Sequence, residues 1–73
     1  MRLYTFEAAD NDGREGLVIY HVTEPGAQII AATTTNREVP PTEAEVADYA
    51  VQVTWVYPDG DVRIYQENRD DRS

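Results

Sequence analysis

The sequence has no lysine and no cysteine, and it has one histidine (His21) and one serine (Ser73) among 73 residues. Each shortage closes off a class of chemistry. Without cysteine there can be no disulfide, and with a single histidine besides there is no classical zinc site. Nucleophilic catalysis lacks its usual groups: the serine is terminal, lysine is missing, and a threonine nucleophile would have to take His21 as its base. His21 follows Tyr20 in a strand-like run, so a structural or surface histidine is expected there. No stretch approaches the ~20 apolar residues that a membrane helix requires. The run Met1-Arg2-Leu3-Tyr4-Thr5-Phe6-Glu7 reaches a carboxylate early and lacks the apolar core and cleavage site of a signal peptide. A cytoplasmic, intracellular protein is therefore expected.

What the sequence has in excess is acid. Fourteen Asp and Glu face six arginines, for a formal net charge of −8. The acids cluster. Glu7, Asp10, Asp12 and Glu15 surround Arg14, and Glu38, Glu43, Glu45 and Asp48 form a denser block with no basic residue inside it. The plain reading is a set of solvated loops and a solvated helix face. Such charge keeps a chain soluble and works against compaction. It also disfavours direct nucleic-acid binding, because the phosphate contribution that dominates that affinity would be repulsive.

A chain of this length forms one domain, expected over residues 1–67 with a frayed polar tail at 68–73, and it buries only about 60% of its unfolded surface. Leu3 to Ala8 alternates, with Tyr4, Phe6 and Ala8 on one side, which predicts a strand. Asp10-Asn11-Asp12-Gly13 predicts a turn, and Leu17 to Val22 a second strand paired with the first. Glu24-Pro25-Gly26 reads as a type II turn. Ala27 to Thr35 reads as a third strand on its Ile29-Ile30 pair and triple threonine. Pro40-Pro41 keeps the next stretch irregular. Thr42-x-x-Glu45 is a capping box and predicts a short helix from about Glu43 to Tyr49, with a long strand from Val46 to Tyr57 as the rival.

The last unit is the best specified. Val51 to Tyr57 leads through Pro58-Asp59-Gly60 into Asp61 to Gln66, a hairpin with a type I turn closed by a glycine bulge. That register sets Tyr57 opposite Asp61, Trp55 opposite Arg63 and Val53 opposite Tyr65 on one face, with Val56–Val62 and Thr54–Ile64 on the other. Trp55 beside Arg63 invites a cation–π contact. The fold class expected is α+β: a five-stranded, mainly antiparallel sheet with one short helix between strands three and four. The alternative is an all-β small barrel.

Three further patterns are weak. Asp10-Asn11-Asp12-Gly13 in EF-hand register would place Ala8 and Ile19 at the first and last ligand positions, where neither has the oxygen required. Weak cation binding by Asp10, Asp12 and Glu15 is the most this loop offers. Paired carboxylates occur in any acid-rich chain, and so short a chain has little room for an enclosed pocket of ~300 Å3 or more. No enzymatic activity and no cofactor are expected.

The expected function is that of a non-enzymatic binding protein whose carboxylates occupy a basic, nucleic-acid-binding surface of a partner protein, assisted by electrostatic steering. The candidate binding residues are Glu38, Glu43, Glu45 and Asp48, then Asp10, Asp12 and Glu15. An exposed Trp55 and Tyr57, rimmed by acids, would add a hot spot, although core is the more natural role for Trp55. In size and charge the chain resembles small acidic phage-encoded inhibitors such as DNA mimics and some anti-CRISPR proteins. Reversing Glu43, Glu45 and Asp48 to lysine should then abolish binding without unfolding. The alternative is a salt-adapted structural or subunit protein that binds through the apolar face of the C-terminal hairpin. A monomer or small homo-oligomer, without membrane association, fits either reading.

Overall fold

Two layers make up the molecule, a four-stranded antiparallel sheet and a pair of helices laid on one of its faces. The computed structural model describes residues 1–66. The elements run β1 (Arg2–Ala9), β2 (Glu15–Val22), α1 (Glu24–Thr34), α2 (Glu43–Ala47), β3 (Ala50–Val56) and β4 (Val62–Gln66). The strands lie in the order β1-β2-β3-β4, so each pairs with its neighbour in sequence and β1 and β4 form open edges. The sheet is open, which excludes the barrel alternative. The tail expected over 68–73 lies outside the described residues.

The alternation in β1 and β2 sets the core. Tyr4 pairs with Tyr20, Phe6 with Val18 and Ala8 with Gly16, all on the helix side. Val18 in turn meets Trp55 and Tyr20 meets Val53 on β3. Val18, Tyr20, Val22, Ala27, Ile30, Val46 and Ala50 are buried together, with Phe6, Val53 and Trp55 packed at their margin. Phe6 meets Tyr20 edge-on, with ring centroids 5.9 Å apart. Between His21 and Val22 the register with β3 shifts, from His21↔Gln52 to Val22↔Ala50, and this bulge ends the pairing.

The expected third strand at Ala27 to Thr35 is a helix, so the sheet has four strands and not five, and two helices join β2 to β3. The supposed turn Glu24-Pro25-Gly26 is the first turn of α1. Thr23 is its N-cap, with its hydroxyl accepting from the Gly26 amide, and Pro25 falls in the first turn, where its missing N–H is not needed. Gly26 lies where a Cβ would come within 2.9 Å of Val22 Cγ1, so the helix packs close against β2. The threonines that favoured a strand are accommodated: the hydroxyls of Thr33 and Thr34 both donate back to the Ile30 carbonyl, at 3.0 and 2.8 Å. Ala27 and Ile30, one turn apart, bury the same face.

The helix expected at Glu43 to Tyr49 is present but stops at Ala47, and the rival strand from Val46 is not formed. Its capping box is complete, with Thr42 Oγ1 accepting from the Glu45 amide and Glu45 Oε1 accepting from the Thr42 amide. The C-terminal hairpin has the predicted register: Val53↔Tyr65, Thr54↔Ile64, Trp55↔Arg63 and Val56↔Val62. Gly60 closes its turn at φ 92°, which favours glycine there.

Candidate protein-binding surfaces

The candidate residues divide among three regions. At the turn end of the molecule, Asp10, Asp12, Trp55 and Tyr57 come together around an open notch of about 350 Å3 that Arg63 and Tyr65 also line. The first loop is built on Asp10. Its Oδ1 accepts from the amides of Asp12 and Arg14, both at 2.9 Å, and its Oδ2 accepts from the Tyr57 hydroxyl at 2.9 Å. The Arg14 amide leads the bonds that hold the Asp10 carboxyl below the usual carboxylate range. Burial, then the bond to Asp10, pushes the Tyr57 phenol up. Asp10 is therefore committed to the loop, whereas the Asp12 side chain has no partner among the described residues.

Arg14 closes this end. Its guanidinium lies 3.9 Å from the centre of the Tyr57 ring and pairs with Asp59 at 2.7 Å and Asp61 at 3.2 Å. Asp61 also accepts from Arg63. Trp55 stacks on Tyr57, with centroids 5.9 Å apart and planes 18° apart. The cation–π contact expected between Arg63 and Trp55 is replaced by one to Tyr57, 6.0 Å from its ring centre, with the guanidinium held by Asp61 opposite Tyr57. Tyr57 is buried and Trp55 half-buried, so Trp55 offers only part of its ring to the notch. Nothing in the sequence marked Arg14, whose partners lie 45 and 47 residues away.

The second region is α2 with the loop before it and its C-cap. Here the four candidates separate into two pairs. Glu43 accepts from the Tyr20 hydroxyl at 2.7 Å. Glu45 accepts from both ends of the Arg37 guanidinium, at 2.7 and 2.9 Å, while serving the capping box. The Arg37 contact, then the Thr42 amide, draws the Glu45 carboxyl down to about 2. These two acids hold the helix in place. Glu38 and Asp48 are exposed, and no described residue pairs with their carboxylates. Asp48 sits at the C-cap of α2, the end where a helix dipole disfavours an acid.

The third region is the face of the sheet turned away from the helices. Leu3, Leu17, Ile19, Val56, Val62 and Ile64 stand on it, and no described element covers them. Leu3, Val62 and Ile64 are more than half exposed, at 57%, 52% and 61%. Glu7 and Glu15 lie at its margin, beside an open depression of about 680 Å3 that reaches Leu17, Val56 and Pro58. Glu15 thus belongs to this face and not to the notch that Asp10 and Asp12 line. His21 is also here, within 3.1 Å of Thr54 Oγ1, which gives it a structural partner. The sequence signal for this face was the apolar character of both sides of the C-terminal hairpin.

Among the described residues no group of three or more His, Asp or Glu side chains is placed to hold a metal ion. No described helix is long and apolar enough to cross a membrane. Compared with family models, with curated proteins and with solved structures, the chain has no match in any of the three.

Proposed function

We propose that this is a non-enzymatic acidic binding protein that occupies a basic surface of a partner protein, an inhibitor in the case where that surface binds nucleic acid. The observation that carries the reading is charge left without internal compensation. Glu7, Asp12, Glu15, Glu38 and Asp48 are exposed and have no described counter-ion, while Arg14, Arg37 and Arg63 are consumed by other acids. Asp48 adds weight, since its position at the C-cap of α2 works against the helix. Surface carboxylates of this kind raise the association rate with a basic partner and are screened by salt. The notch offers a companion feature: Asp12 beside Trp55 and Tyr65 suits the cation and stem of an arginine or lysine side chain.

The test is capture of a partner at low salt followed by a salt gradient, for the native chain and for Asp12→Lys/Glu38→Lys/Asp48→Lys. Glu43 and Glu45 are left intact, because reversing them would break the contacts to Tyr20, Arg37 and Thr42. A basic partner released by salt and lost in the triple variant is the expected result. Equal retention by the two proteins overturns the reading.

A second reading, a structural or subunit protein that binds through the apolar face of the C-terminal hairpin, draws on the exposure of Val62 and Ile64. There the acids serve solubility alone, and binding holds through the gradient.

A further inference from the structure

We propose that the open sheet face is a self-association interface, on which two copies of the chain pack sheet to sheet across Leu17, Ile19, Val56, Val62 and Ile64. The proposal does not rest on the acidic-surface reading, because it uses the apolar residues of β2, β3 and β4 and none of the carboxylates.

Three observations select a second copy as the occupant. The first is area. The molecule is a slab of about 37 × 37 × 20 Å with 5084 Å2 of accessible surface. Each broad face of such a slab carries roughly a quarter of that surface, on the order of 1,200 Å2, and a stable interface needs ~800 Å2 from each partner. Two-thirds of the face suffices.

The second is the distribution of charge. A chain of net charge −8 repels its own copy wherever carboxylates oppose one another. The described residues carry eleven carboxylate side chains, and on the open face only Glu7 and Glu15 occur, both at the end nearest the first loop. The centre of the face holds Leu17, Ile19, Thr54, Val56, Val62 and Ile64, with no charge at all. A face-to-face pair therefore joins the least charged surfaces and turns both helical layers, with Glu38 and Asp48, outward. The centre of the face offers a basic partner no counter-charge.

The third is that the described residues supply neither cover nor staple for this face. Residues 67–73, Glu-Asn-Arg-Asp-Asp-Arg-Ser, contain no apolar side chain to lay on this face. The chain has no cysteine, and its buried core is small, with Ile30, Val18, Val22 and Val46 as the largest fully buried side chains. Oligomerisation is one of the ways in which domains this short add to a small core. Aligned packing of two sheets, with side chains interdigitating across ~10 Å, would supply such a second core.

The test is sedimentation velocity of the native chain, Leu17→Asp and Ile64→Asp, with circular dichroism of each. The expected result is a native dimer of about twice the 8.3 kDa chain mass that persists or tightens at ~1 M salt, since apolar burial is not screened. Each aspartate variant should be a folded monomer. If Ile64→Asp unfolds, Ile64→Thr decides: it retains a β-branched strand former and should weaken association at least about tenfold for the lost apolar contact. A native chain that stays monomeric from ~1 to ~100 μM, the range in which a micromolar dimer would form, overturns the proposal. So does a dimer indifferent to both positions, which would point to pairing along the β1 or β4 edge, or a dimer dispersed by salt. A monomer whose Ile64 variants lose a different protein would assign the face to that protein and overturn self-association alike.

Discussion

The Tyr20 hydroxyl donates a 2.7 Å hydrogen bond to Glu43, joining the middle of the sheet to the first turn of α2. Tyr20 is buried and Glu43 half-buried, so this acid is a structural member of a block that otherwise looks like surface charge. Tyr20→Phe keeps the ring that packs on Phe6 and deletes only the donor. Hydrogen bonds to charged groups contribute roughly 1.5–3 kcal/mol, and water reaches Glu43 once the hydroxyl is gone, so a loss of about 1.5 kcal/mol is expected. The urea midpoint of Tyr20→Phe against the native chain measures it, and an unchanged midpoint would remove Glu43 from the structural set.

The same contact predicts a weakness in alkali. Burial, reinforced by Glu43, raises the Tyr20 phenol well above its ordinary value near 10. In the unfolded chain Tyr20 ionises from about pH 10, while in the folded chain it stays neutral. Unfolding then releases a proton, so the stability this group contributes is complete below pH 10 and declines as pH rises beyond it. Thermal melts from pH 9 to 12 should show Tm falling, and the decline should be shallower in Tyr20→Phe.

In acid the critical group is Glu45. Its carboxyl lies at about 2 in the folded chain and ordinarily near 4.5. The depressed value means that its contribution is fully present above about pH 4.5 and is lost as pH falls from there toward 2. Glu45→Gln removes this titration and the ion pair to Arg37 together. The variant should be less stable than the native chain at neutral pH, and the gap should close by about pH 2. Unfolding midpoints at pH 7, 4 and 2 test this, and a gap of constant size would show that Arg37 and the helix cap do not depend on the charge.

Local chemistry was legible wherever a few neighbouring residues decide the backbone. The capping box of Thr42 and Glu45, the Gly60 bulge and the alternation of Tyr4, Phe6 and Ala8 all act within a handful of residues, and each appears as the sequence implies. The segment from Ala27 to Thr35 misleads because its β-branched residues signal a strand, whereas Thr23 and Pro25 just upstream start a helix. Packing of Ala27 and Ile30 on the sheet then outweighs the propensity of Ile29 and the threonines. Arg14 was not legible at all, since it acts through a turn and a ring more than 40 residues distant. Nor could the sequence divide Glu43 and Glu45 from Glu38 and Asp48, because that division depends on where Tyr20 and Arg37 come to lie.

The start of helix α1 rests on one side-chain acceptor, Thr23 Oγ1. Thr23→Ala leaves the Gly26 amide without its side-chain acceptor and costs about 1 kcal/mol. Thr23→Asp or Thr23→Ser retains a cap and should stay near the native stability. A strand over the same residues has no N-cap, and all three substitutions would then be equivalent. Guanidinium unfolding of the three variants separates the cases.

Arg14 and Tyr57 provide the most specific test of how the turn end is held. The guanidinium reaches Asp59 and Asp61 while its carbon stays over the ring, 3.9 Å from its centre. Lysine has the charge without the planar fork, so it can satisfy one carboxylate but cannot bridge two and stack at once. Arg14→Lys and Arg14→Ala should therefore behave alike, both loosening the C-terminal turn and exposing the Tyr57 edge of the Trp55 stack. Trp55 is the only tryptophan, so its fluorescence reports the change directly. A red shift and stronger acrylamide quenching in both variants, with the far-ultraviolet spectrum preserved, is the expected outcome. Native-like emission in Arg14→Lys would mean that charge alone holds the two turns together and that the stacked geometry adds nothing.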